Sequence, residues 1–106
     1  MLFELRQYEI RPGKLEEWVR LFEEEIAPFQ SSKGMVVCGS FVGAEDASVF
    51  VWLRRFVDEE ERIRLYEAVY QSDTWKNDLA PKVGALINRE TIRVTRLAPT
   101  GKSVLH

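Results

Sequence analysis

Few residues of this 106-residue chain combine reactive chemistry with a position that could form a site. Glu4 and Arg6 alternate along one face of an apolar N-terminal stretch, and Arg54 shares a face with Trp52 in a second such stretch. Charged groups on a covered strand face must be paired or must look into a wet cavity. Two readings follow. In one, Glu4, Arg6 and Arg54 form an ion-pair lattice that holds strand register, within one sheet or across a dimer. In the other, they line a pocket between sheet and helices. Tyr8, Trp52, Tyr66 and Trp75 would then be its apolar walls, and Arg54 would hold an anionic or carbonyl group. Arg54 would polarise an oxygen, while Tyr66 or Tyr8 donated or took a proton.

Other chemistries lack their residues. The only histidine is His106 and the only cysteine is Cys38, so neither a metal centre nor an axial haem ligand is expected, and no cofactor is implied. Glu23-Glu24-Glu25 and Glu59-Glu60-Glu61 are consecutive in helical stretches and fan around the axis instead of converging. Gly101-Lys102-Ser103 resembles the end of a phosphate loop, but Arg96 stands where the first glycine belongs and no helix follows. A lone cysteine leaves no internal disulfide and suits a buried thiol in a reducing compartment. The net charge of −2 gives no case for nucleic acid or an anionic membrane. With no bilayer-length apolar run and no signal-peptide pattern, the expectation is a cytoplasmic protein without membrane insertion.

The elements that must position these residues can be read in order. Leu2 to Ile10 alternates as a strand, and Arg11-Pro12-Gly13 turns the chain. Leu15, Trp18, Val19, Phe22 and Ile26 mark one face of a helix from about Lys14, which Pro28 should end or kink near Ala27. Met35 to Gly43 is a second strand, in which Gly39 and Gly43 suggest a bulge, an edge or a close backbone approach. Ala44 to Ala47 leads by a hairpin into a third strand, Ser48 to Phe56. Asp58 and Glu61 form a capping-box pair that opens a helix with Ile63, Tyr66, Val69 and Tyr70 as its stripe. Ser72 and Asp73 offer a stop and a fresh cap. Trp75, Leu79, Val83 and Leu86 mark a further helical segment, interrupted by Pro81 and Gly84. Thr91 to Leu97 is the last strand.

Strand, helix, strand, strand, helix, strand is the ferredoxin-like βαββαβ order, an α+β fold with one antiparallel four-stranded sheet. Its first and third strands are central, with helices on one face. The third strand is apolar on both faces up to Arg54 and Arg55: Val49, Val51 and Leu53 on one, Phe50, Trp52 and Phe56 on the other. One layer of helices covers one face, so a second copy of the sheet is the simplest cover for the other. The expected assembly is a homodimer, two sheets packed as a dimeric α+β barrel. The domain spans residues 1–97, and residues 98–106 read as a loose tail or arm.

Three pieces of this pattern resemble the NIPSNAP family of the dimeric α+β barrel superfamily. They are Glu4-Leu5-Arg6-x-Tyr8 with Pro12-Gly13-Lys14-Leu15; Phe50-Val51-Trp52-Leu53-Arg54-x-Phe56; and Arg62, Leu65, Ala68 and Tyr70 followed by Trp75-Lys76. They cover most of the chain from Leu2 to about Ile87. The resemblance implies a homodimer and carries no settled enzymatic activity. Remoter barrel relatives include cofactor-free monooxygenases, isomerases and haem-degrading enzymes, an analogy of fold alone. Two functions from different classes stay open. One is a protein that binds or converts a small carbonyl-bearing or anionic organic molecule without metal. The other is a non-catalytic dimeric interaction module, its pocket filled by its own side chains.

Overall fold

A computed structural model describes residues 1–106. Four strands and three helices follow one another as β1 (Leu2–Ile10), α1 (residues 15–32), β2 (Val36–Val42), β3 (Val49–Phe56), α2 (Glu59–Tyr70), α3 (residues 74–86) and β4 (Ile87–Leu97). The sheet order is β2-β3-β1-β4, antiparallel throughout, so the doubly apolar β3 and the charged β1 are central, as the ferredoxin-like order requires. β4 starts at Ile87, before the expected Thr91, because Ile87 and Asn88 pair with Ile10 and Glu9 beyond a bulge. β2 is an edge strand whose register slips between Val37 and Gly39. That slip leaves Cys38 half-buried, not buried as expected, and burial pushes its thiol above the ordinary range. At Gly43 a Cβ would stand 2.3 Å from the Asp46 carbonyl oxygen, so the hairpin needs glycine there.

Pro28 does not end its helix. A π-helical segment, Phe22–Ile26, precedes it, and the Ala27 amide donates to the Phe22 carbonyl five residues back. The wider turn takes up the proline ring, and the helix runs on to Ser32. The same device carries α3 past Pro81 and Gly84: Thr74–Leu79 is π-helical, and the Ala80 amide donates to Trp75. α2 opens as its sequence dictates, with the Asp58 carboxylate accepting from the Glu61 amide at 2.8 Å and Glu61 reaching back to the Val57 amide at 3.0 Å. Its buried stripe is Leu65 and Val69, whereas Ile63 is exposed. Ser72, not Asp73, caps α3 by accepting from the Trp75 amide.

Helices cover one face of the sheet. Every residue of β3 on that face (Phe50, Trp52, Arg54, Phe56) is buried. The larger core joins Tyr8, Ile10, Phe50 and Trp52 to Trp18, Phe22 and Ile26 of α1 and to Leu79, Val83 and Leu86 of α3. A smaller one joins Phe56 and Met35 to Leu65 and Val69 of α2. On the opposite face no helix lies. Val49, Val51 and Leu53 remain half-buried there, and Phe41, the partner of Val51 in the neighbouring strand, is 61% exposed. Residues 98–106 carry no helix or strand. The tail shares a surface cavity with Phe3, Leu53 and Leu97, and Arg55 donates to the His106 carbonyl at 2.9 Å. No helix is long and apolar enough to cross a membrane.

Candidate functional site

The site grows out of strand register. β1 and β3 pair Glu4 with Arg54, Arg6 with Trp52 and Tyr8 with Phe50, which sends all six side chains to the helix-covered face. α2 then lays Tyr66 and Tyr70 over them from positions i and i+4, their rings 5.1 Å apart. The continuation of α1 beyond Pro28 delivers Gln30 to the same spot, fully buried.

Arg54 lies at the bottom, with no exposed surface. Its Nη2 donates to Glu4 Oε1 at 2.8 Å and to the Tyr66 hydroxyl at 2.9 Å. Its Nη1 donates to Gln30 Oε1 at 3.0 Å and to the Tyr70 hydroxyl at 2.7 Å. The guanidinium also stands 4.6 Å from the Trp52 ring centroid and 5.1 Å from that of Tyr66. Tyr66 closes the group by donating to the Glu4 carboxylate, 2.7 Å from either oxygen. The buried pair is thus satisfied on nearly every side, the condition for burying two charges at tolerable cost. Within the pair only the Arg54 Nε has no partner; the indole N–H groups of Trp18 and Trp52, which line the cavity, are also buried without one.

Above this layer is a cavity of about 350 Å³ between the sheet, α1, α2 and α3. Of the residues expected to form a pocket, Arg6, Tyr8, Trp52, Tyr66 and Trp75 line it; Arg54 and Glu4 do not. Two cations therefore line the cavity, half-buried Arg6 and exposed Arg89, with Arg54 sealed behind Tyr66 and Tyr70. Glu4–Arg54 is a buried ion pair across the two central strands, and Arg6 lines the cavity. Gln30, Tyr70 and Arg89 also line the cavity and were not expected as site residues. A glutamine near a helix end reads as solvated, and only the helix's passage past Pro28 buries it. Tyr70 was legible as the i+4 companion of Tyr66.

Arg6 makes no ion pair with any carboxylate of the chain. Its Nε donates to the Tyr8 hydroxyl at 3.0 Å and its Nη1 to that of Tyr66 at 3.4 Å. Burial works against its charge, but the oxygens of Tyr8, Tyr70 and Tyr66 outweigh that and hold it more firmly protonated than an ordinary arginine. Burial pushes Tyr8 up as well, against the opposing pull of Arg6. Tyr66 is pushed up to about 12, by burial first and by its hydrogen bond to Glu4, with Arg54 opposing. Near neutral pH the cavity thus offers guanidinium cations and the neutral phenols of Tyr8 and Tyr66 among aromatic walls. It suits an anionic or strongly polar oxygen on a flat body. No group of three or more His, Cys, Asp or Glu residues converges in a way that could hold a metal ion.

Comparison with known proteins matches residues 3–102 to the NIPSNAP family model. A crystal structure of a NIPSNAP family protein from Agrobacterium tumefaciens superposes with a TM-score of 0.86 at 26% identity, covering 99% of this chain and 98% of that one. An uncharacterized NIPSNAP domain protein from Burkholderia xenovorans gives 0.85 at 19% identity, covering 97% and 98%. An antibiotic biosynthesis monooxygenase gives 0.67 at 18% identity over 93% and 98%, a likeness of fold. No curated protein matches significantly.

Proposed function

The chain belongs to the NIPSNAP family, and from that premise we propose that it works as a homodimeric α+β barrel protein that binds, and has the groups to convert, a small flat anionic or carbonyl-bearing organic molecule without metal. The observation that carries the reading is Arg6, a cation free of any carboxylate partner in the wall of an aromatic cavity of about 350 Å³. That size lies at the small end of ordinary ligand pockets. An interaction module with no ligand calls for a pocket filled by its own side chains, so the open cavity supports the binding reading.

The homodimer rests on the helix-free face. Phe41, Val51, Leu53 and Leu5 run across three strands there, linked by the pairs Phe41–Val51 and Leu53–Leu5. Such a row, bordered at Leu53 by the chain's own tail and open at Phe41, fits a second copy of the same sheet. The unpaired Cys38 fits a reducing, cytoplasmic setting.

The test is Arg6→Met with 2-naphthoate as probe. The variant is expected to lose binding at least tenfold while its subunit number and melting temperature hold. Equal binding by wild type and variant would remove the reading.

A further inference from the structure

Tyr8, Arg6, Tyr66, Arg54 and Tyr70 form one continuous hydrogen-bonded chain along the cavity floor, alternating phenol and guanidinium. Following the hydrogens along it separates the three tyrosines. A guanidinium only donates, so each tyrosine oxygen bonded to Arg6 or Arg54 is an acceptor in that bond. Tyr66, in the middle, accepts from both arginines and gives its own hydrogen to Glu4, which saturates it. Tyr8, at one end, accepts from Arg6 and has no acceptor for its own hydrogen.

Tyr70, at the other end, reaches the same condition by one more step. Arg54 Nη1 donates to Gln30, so Gln30 must present its carbonyl oxygen to Arg54. Its amide nitrogen is then the group 3.4 Å from the Tyr70 hydroxyl and donates to it. Tyr70 therefore accepts twice, and its hydrogen also lacks a partner. Both free hydroxyls belong to cavity-lining residues, and each is polarised by a charged donor on its oxygen, which strengthens the hydrogen it offers.

We propose that Tyr8 and Tyr70 are the specificity-determining donors of this cavity, each giving its hydroxyl hydrogen to a separate oxygen of one flat conjugated ligand whose negative charge Arg6 neutralises. The ligand class is a planar organic acid with a second oxygen acceptor away from the acid group. Arg54 acts at one remove, as a positioning residue: it holds Tyr70 through a direct bond and fixes the Gln30 amide that would otherwise accept the Tyr70 hydrogen. This inference rests on the cavity-binding reading above and adds to it the two donors and the second acceptor.

The experiment compares 2-naphthoate with 6-hydroxy-2-naphthoate by isothermal titration on wild type, Tyr8→Phe, Tyr70→Phe and Arg6→Met. Wild type is expected to bind the hydroxylated probe more tightly. Loss of either tyrosine hydroxyl is expected to weaken that probe roughly tenfold, the scale of one hydrogen bond to a charged or polarised group. One of the two tyrosine variants should bind both probes equally, because the hydroxyl that serves the second oxygen is gone. Tyr70→Phe also deprives Arg54 and Gln30 of an acceptor, so its melting temperature is measured alongside. Tyr8→Phe removes only a bond to half-buried Arg6, so it tests the Tyr8 donor without that complication. If Arg6→Met loses both probes while the two phenylalanine variants bind them as wild type does, the cavity reading stands and the donor assignment is overturned. If wild type binds neither probe, both fall.

Discussion

Glu4 and Arg54 stand opposite each other on the two central strands, and their side chains meet at 2.8 Å beneath the tyrosines of α2, Glu4 only 2% exposed and Arg54 not at all. One register pair therefore does two jobs. It locks β1 to β3, since a slip of one residue in either strand would send that strand's charge to the other face and leave its partner buried alone. It also holds Tyr66 and Tyr70 in place at the cavity floor.

Arg54→Met is expected to destabilise the fold by about 3–5 kcal/mol, because it leaves the Glu4 carboxylate buried without its cation. Glu4→Gln together with Arg54→Met should recover part of that loss. Urea denaturation of the single and double variants checks it; additive losses would show that the two side chains do not act as a pair.

Stability should fall as the pH rises from about 10 to about 12. Tyr66 titrates at about 12 in the folded chain, against an ordinary tyrosine value near 10 when unfolded. Above the lower value the unfolded chain has lost this proton and the folded chain keeps it, so proton release favours unfolding through that window. Tyr8 is raised too and acts in the same sense. Chemical denaturation at stepped pH is expected to show the decline, and Tyr66→Phe should make it shallower.

Leu53→Arg puts a charge in the middle of the helix-free face while leaving the cavity on the opposite side of the sheet untouched. The expected result is a monomer by sedimentation, with the wild-type affinity for 2-naphthoate. A dimer that persists would move the interface elsewhere on the surface.

Much of this architecture is written locally. β1 follows its alternation from Leu2 to Ile10, and α2 begins where Asp58 and Glu61 cap it. The misses are long-range. Pro28 and Pro81 carry the local signal of a break, yet packing of Phe22, Ile26, Leu79 and Val83 into one core keeps both helices going through π-helical turns. The burial of Gln30 depends on that continuation. Arg6 and Arg54 carry no local mark that separates them; which one meets the cavity depends on where α2 sets its tyrosines, one layer above the sheet. Ile63 shows the same limit, because a helical stripe leaves its edges undetermined until the neighbouring elements are in place.

The most direct test of the account is native mass spectrometry of the purified protein with and without 6-hydroxy-2-naphthoate. The account predicts a two-subunit ion that gains the mass of one probe molecule per subunit, with Arg6→Met remaining a dimer and gaining none. A monomer, or a dimer that takes up no probe, would contradict it.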